Sequence, residues 1–250
     1  MSEQVLVSRA DGVCEIRLNR PEKRNAITLS MYEALCSALA QAQGDTAVRA
    51  VLLSGEGAGF TAGNDLNDFL GGLKFDGDNP IIRLMRALAT FGKPLLAAAY
   101  GQTVGIGTTL LLHCDLVVAA RSTVFSMPFV ALGLVPEAGS SLLLPRLVGQ
   151  QRAAELLLLG KPFDAATAHS LGLVNRVVED AELLNEARAL ARNVAAQPVE
   201  ALLAARRLLR GDPGEVLTRI DAEARIFAER LGSEEFRAAV RAVMSRGRAG

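Results

Sequence analysis

A strand, a second strand and a helix recur along this chain roughly every 45 to 65 residues, without sequence identity between the units. Val5 to Val7, an Asp11-Gly12 turn and Val13 to Leu18 read as a hairpin. Ser30-Met31-Tyr32-Glu33 reads as a capping box opening an amphipathic helix through Leu35, Leu39 and Ala42, stopped near Gly44. Val48 to Leu53, Leu95 to Tyr100, Leu116 to Ala120 and Thr123 to Ser126 follow as strands. Helices are expected near Asp65, over Ile81 to Phe91, from Gly107 through His113, and from Ala138 onward. Gly71 to Pro80 is polar and glycine-rich, the pattern of a mobile or variable loop. The rhythm predicts an α/β fold wound as a right-handed spiral of short ββα turns rather than a doubly wound sheet.

After Val178 the character changes. Four helical patterns succeed one another with no strand between them, from Glu182, Val199, Glu215 and Glu234, punctuated by Pro198, Pro213 and Gly232. The expected division is a spiral core over residues 1–195 and a helical C-terminal region over 196–250, whose apolar faces need a partner.

Composition removes several classes of function. Lys plus Arg and Asp plus Glu are 27 each, so net charge gives no reason to expect nucleic acid or an acidic membrane as partner. The most apolar stretch, Pro94 to Ala120, is broken by Gly101, Gln102, Gly105, Gly107, His113 and Asp115, which marks a buried core segment. Met1-Ser2-Glu3-Gln4 lacks the basic-then-apolar pattern of a secretory leader. Cys14, Cys36 and Cys114 have no metal-type spacing and read as reduced core thiols. With only His113 and His169, no metal site is expected. A cytoplasmic protein is the expectation.

Two loops share one design: a buried strand ends, small residues follow and a helix begins. They are Phe60-Thr61-Ala62-Gly63-Asn64-Asp65-Leu66 and Val104-Gly105-Ile106-Gly107-Thr108-Thr109. Small residues let a ligand approach the backbone, and free N–H groups at a helix start attract negative charge. Either loop alone is also what an ordinary turn looks like. Neither carries the Gly-Lys-Ser/Thr of a nucleotide-binding P-loop, and the second does not match the dinucleotide fingerprint.

Taken in order, the loops resemble the two signatures of the crotonase (enoyl-CoA hydratase/isomerase) superfamily, F-x-[AS]-G-x-D-[LI] and a glycine-rich stretch running into Cys114-Asp115. The resemblance extends to Asn19 through Ala26, to Phe129 through Gly139 and to Gly160 through Val178, covering most of residues 15–178. It implies a crotonase-like spiral and an acyl-CoA thioester as substrate, with no cofactor beyond the coenzyme A that the substrate carries. It also implies an oxyanion hole made by the backbone N–H groups of Asn64 and Ile106. Arg24 would lie near the CoA phosphates, and Ala26, Ala62, Gly63, Asp65, Leu66 and Gly105 along the adenine and pantetheine path. Read without the resemblance, Arg24 is a solvated loop charge and Asp65 a helix cap. The family's assemblies imply a homotrimer or dimer of trimers built by the helices beyond Pro198.

The hydratases of this family use two glutamates, and Thr109 and Phe129 stand at those positions here. Neither side chain is an effective base near pH 7. One carboxylate appears elsewhere: Glu137, in Leu134-Val135-Pro136-Glu137-Ala138-Gly139, where hydratases usually have glycine. That placement resembles the Δ3,Δ2-enoyl-CoA isomerases, particularly the peroxisomal type, which implies a single base moving a proton from C2 to C4 in fatty-acid or related acyl-CoA degradation. Among apolar neighbours such a carboxyl has a raised pKa, which suits a group that takes and returns a proton. Read from the residues alone, Glu137 is a charge at the start of the next helix, stabilising its dipole. Gly133 to Gly139 also resembles the ring isomerase of phenylacetate breakdown, and weak hydratase activity is a third alternative. Some chains of this superfamily bind RNA or are catalytically idle; the balanced charge and intact glycine turns argue against that here.

Overall fold

The computed structural model describes residues 3–70 and 77–247. The strands run, in chain order, β1 (Val5–Ala10), β2 (Val13–Leu18), β3 (Ala50–Gly55), β4 (Leu95–Ala99), β5 (Gln102–Val104), β6 (Leu116–Ala120), β7 (Val124–Ser126), β8 (Phe163–Asp164) and β9 (Arg176–Val178). The earlier helices are α1 (Leu29–Gly44), α2 (Leu66–Leu70), α3 (Pro80–Thr90), α4 (Ile106–Thr109), α5 (Ser140–Val148), α6 (Gln150–Ala154) and α7 (Ala165–Ser170). Four more close the chain: α8 (Leu183–Ala195), α9 (Val199–Arg210), α10 (Gly214–Leu231) and α11 (Glu234–Gly247).

The larger sheet has the order β1-β2-β3-β4-β6-β9. β1 is antiparallel to β2, with Val5 opposite Leu18, and every later pairing in this sheet is parallel. The smaller sheet has the order β5-β7-β8, where β5 and β7 are the second strands of two successive turns and run parallel, and β8 pairs antiparallel with β7. Two turns, starting at β4 and β6, thus lay a strand in the large sheet, bend, lay a short strand in the small sheet and leave through a helix. This is the spiral of short ββα turns that the rhythm predicted.

The central strands are buried on both faces, as parallel sheets require, and so read as continuous apolar runs. Alternate residues serve opposite layers. Val51, Leu53, Leu95 and Ala97 face the main core, which holds Met31, Leu35 and Leu39 of α1 and Ile81, Leu84 and Leu88 of α3. Ala50, Leu52, Leu96, Ala98 and Val118 face the other way, where Leu183, Ala187, Ala191 and Ala195 cover them. Those four follow an exact i, i+4 spacing, which puts them on one stripe of α8. α10 packs against α3 and α5, and α11 lies against the short 3₁₀ turn Val130–Leu132.

Three local expectations are corrected. The cap of α1 is Thr28, whose hydroxyl accepts from Met31 N; Ser30 lies inside the first turn. The helix expected through His113 is one α turn followed by a 3₁₀ turn, Leu110–His113. The helix expected from Ala138 begins at Ser140, because Ala138 and Gly139 have φ of +58° and +71° and break the helical path. Of the predicted loop at Gly71 to Pro80, residues 71–76 lie outside the described residues. No helix among the described residues is long and apolar enough to cross a membrane.

Candidate active site

The two glycine-rich turns are stitched side by side. Phe60 N donates to Tyr100 O at 2.8 Å, and Val104 N donates to Thr61 O at 3.0 Å. A third strand of contact comes from the first loop, where Ile27 N donates to Gly63 O and Asp65 N to Ile27 O. Small residues are needed where the turns meet. Gly63 has φ +88°, and a Cβ there would stand 2.8 Å from Val104 O. This packing leaves two amides over. The parallel bridge at Ile27 uses the groups flanking Asn64 and not the Asn64 N–H, and Ile106 N–H opens the first turn of α4, where helix amides have no internal partner. Neither N–H has an acceptor among the described residues.

The first of these amides stands at the wall of a cavity of about 780 Å³. Asn64 lines it, as does Gly105, the residue before Ile106. Ala26, Ala62, Gly63, Asp65 and Leu66 line it too. Arg24 does not. Its exposed guanidinium reaches Gln102 Oε1 at 3.4 Å, and Lys23 supplies a cation to the wall instead. Asp65 is held by Arg20 at 2.7 Å and accepts from Asn67 N at 3.1 Å in the first turn of α2. Burial pushes its carboxyl up, but the bonds from Arg20 and Asn67 outweigh that and hold it below the usual range. It is an ionised structural group.

Glu137 is 2% exposed. Its Oε1 accepts from Thr109 Oγ1 at 3.1 Å, and its Oε2 has no hydrogen-bond partner among the described residues. Burial pushes the carboxyl up to about 8; the Thr109 bond works against this, and the charge of Glu223 adds to it. The alternative role for Glu137, a charge satisfying the next helix, is taken by Glu223 of α10. Glu223 Oε2 accepts from Gly139 N at 2.6 Å, and its Oε1 accepts from Ser141 N at 2.9 Å and from Ser141 Oγ. With the start of α5 already capped, Glu137 is left to Thr109, and it is not among the residues that line the cavity.

Sequence reasoning missed three contributors. Tyr32 of α1, fully buried, donates its hydroxyl to Asn64 Oδ1, and burial together with the charge of Glu137 keeps the phenol protonated. Glu223 is the second. The third is the cover provided by α10 and α11, since Phe227, Ala239 and Ala242 line the cavity. The two vacated hydratase positions are filled: Thr109 is buried against Glu137, and Phe129 presents its ring to the cavity. His113 is a packing residue, its Nε2–H donating to Ala138 O at 2.7 Å, with burial pushing its pKa down to about 4. Asp115 is structural as well, accepting from Leu95 N, Arg206 Nε and Arg210 Nε. Cys14, Cys36 and Cys114 are all free thiols.

A buried carboxyl of raised pKa and two backbone amides without acceptors are the kinds of group that proton removal next to a carbonyl uses, the carboxylate as base and the amides to hold the oxyanion. The sequence profile described as enoyl-CoA hydratase/isomerase matches residues 8–248. The 1,2-epoxyphenylacetyl-CoA isomerase of Escherichia coli K12 is 41% identical over 208 residues, 79% of this chain and 78% of that protein. Enoyl-CoA delta isomerase 2 of Rattus norvegicus is 36% identical over 228 residues, 89% of this chain but 58% of that longer protein. Among solved structures, Pseudomonas aeruginosa OdaA superposes with a TM-score of 0.94 at 46% identity, covering 97% of this chain and 99% of that one.

Proposed function

The chain belongs to the enoyl-CoA hydratase/isomerase family, and within it we propose that this enzyme converts 3-enoyl-CoA to 2-enoyl-CoA, Glu137 carrying the proton from C2 to C4. The observation behind this reading is the state of Glu137: buried, held through one oxygen by Thr109 and unpartnered at the other. In the first step the ionised carboxylate takes the C2 proton, and the electron pair moves into the thioester to give a dienolate. Asn64 N–H and Ile106 N–H hold the dienolate oxygen. In the second step the pair returns through the double bond to C4, which takes the proton back from Glu137. No water is added, so no second carboxylate is needed.

A second reading keeps this chemistry and changes the substrate. The 41% identity to the epoxyphenylacetyl-CoA isomerase favours an oxepin- or epoxide-CoA derived from an aromatic acid. A panel of 3-enoyl-, 2-enoyl- and aryl-derived CoA thioesters assayed side by side separates the two. Fast conversion of 3-enoyl-CoA with slow hydration of crotonyl-CoA supports the first reading. Hydration at an equal or greater rate contradicts both, because Thr109 and Phe129 leave no acid–base pair to hold a water.

The proposal extends to assembly as a homotrimer or dimer of trimers. Leu208 and Leu209 of α9 are 86% and 87% exposed, apolar surface suited to a neighbouring copy. A stable monomer by light scattering at micromolar concentration contradicts it.

A further inference from the structure

We propose that Glu223 is a positioning residue of this site: from α10 it pins the turn after Glu137, so that the Glu137 carboxyl serves the substrate and not the helix. The inference rests on the reading of Glu137 as the base.

The turn is in a conformation that its own residues do not favour. Ala138 has φ +58°, a left-handed backbone that a non-glycine residue enters only at a cost. It is held from both sides. His113 Nε2–H donates to Ala138 O at 2.7 Å, and Glu223 accepts from Gly139 N and Ser141 N. α5 has no capping side chain of its own at Gly139, so those amides need an acceptor from elsewhere. Glu137 precedes them by two and four residues and is the nearest carboxylate in sequence. Were it to cap α5, the helix start would stabilise its anion and hold its proton affinity down. Glu223 occupies that place. Burial pushes the Glu223 carboxyl up, while its bonds from two backbone N–H groups and a hydroxyl, and the charge of Arg219, work in favour of the carboxylate.

Glu223 therefore places a negative charge behind Glu137 and removes the helix from its reach. The other groups around Glu137 are Thr109 on α4, which hydrogen-bonds it, and Tyr32 on α1, a neutral phenol. Behind Glu223, Arg219 of the same helix donates to Ser141 Oγ and partly offsets the Glu223 charge. His113 is neutral near pH 7.

The test is direct titration of the Glu137 carboxyl by infrared difference spectroscopy, each protein measured against its own Glu137→Gln counterpart, in wild type, Glu223→Gln and Arg219→Gln. Turnover is measured in parallel. In Glu223→Gln the Glu137 midpoint is expected to move to lower pH. The kcat with 3-enoyl-CoA should fall at least tenfold while KM stays within twofold. In Arg219→Gln, whose altered side chain is at the surface, the midpoint should move the other way. That variant keeps the proposal open to refutation even if Glu223→Gln fails to fold. Unchanged midpoints in the variants that fold overturn it, as does a loss in Glu223→Gln confined to stability or KM. A shifted midpoint whose activity does not follow the Glu137 titration supports the positioning role and tells against Glu137 as the base, so the two failures are distinguishable.

Discussion

Thr109 Oγ1 lies 3.1 Å from Glu137 Oε1 and 3.3 Å from Gly105 O. One hydroxyl therefore serves two protonation states. When Glu137 is ionised, Thr109 donates to it. When Glu137 holds a proton, Thr109 can accept that proton's hydrogen bond and donate its own hydrogen to Gly105 O. Under the proposed mechanism, a group that gains and loses a proton in every turnover is thus hydrogen-bonded in both states. In the proposed reaction, Thr109, at the position that resembles a hydratase carboxylate, supports the one base, Glu137.

Replacing Thr109 by Val keeps the shape and removes the donor to the Glu137 anion. A hydrogen bond to a charged group is worth about 1.5–3 kcal/mol, so proton removal near pH 7 should slow roughly 10- to 100-fold. The midpoint of the pH–rate profile should move above the value of about 8 of the parent. A kinetic pH profile of Thr109→Val checks both; a midpoint that falls or stays in place contradicts the assigned bond.

The Glu137 carboxyl also makes stability depend on pH, with a definite sign. Its pKa is about 8 folded against about 4.5 for the ordinary group, so between those values the unfolded chain releases a proton that the folded chain keeps. The folded state therefore loses stability from this group as pH rises from about 4.5 to about 8, and no more beyond. Glu137→Gln removes the effect. Urea unfolding should show Glu137→Gln close to wild type near pH 4.5 and more stable than wild type at pH 8. An advantage that does not grow with pH contradicts the buried, protonated state.

Tyr32 donates its hydroxyl to the side-chain Oδ1 of Asn64, whose backbone N–H is one of the two proposed oxyanion donors. Tyr32→Phe removes one neutral hydrogen bond, worth about 0.5–1.5 kcal/mol, which corresponds to roughly two- to tenfold in turnover. The loss should appear in kcat, with KM for the CoA ester little changed. Steady-state kinetics that put the whole loss in KM would contradict the positioning of Asn64 by Tyr32.

The parts of this molecule written in short stretches of sequence were legible, and those made by distant residues were not. The turns at Gly63 and Gly105 show in sequence because close backbone approach demands small residues at fixed spacing, and Thr109, Phe129 and Glu137 could be placed against them. The start of α5 was misjudged because the left-handed pair Ala138–Gly139 delays the helix, and nothing in Ala138 itself announces a positive φ. The α1 cap was misplaced because Thr28 and Ser30 are both capping types two residues apart, and only geometry selects Thr28. Glu223 lies 84 residues from Gly139, so its capping role exists only once α10 packs against α5. The cavity wall shared by Ala26, Phe129 and Ala242 is likewise a product of tertiary packing.

The central claim is that Glu137 removes the C2 proton while Asn64 and Ile106 hold the oxygen. The most direct measurement is exchange of the C2 proton of a bound saturated acyl-CoA with D₂O, followed by NMR in wild type and Glu137→Gln. Exchange needs the base and the two amides but no double bond, so it isolates this step from substrate preference. The account predicts steady exchange in wild type and a loss of roughly 10²- to 10⁴-fold in Glu137→Gln, with CoA-ester affinity nearly unchanged. Exchange that persists at the wild-type rate in Glu137→Gln would show that another group is the base.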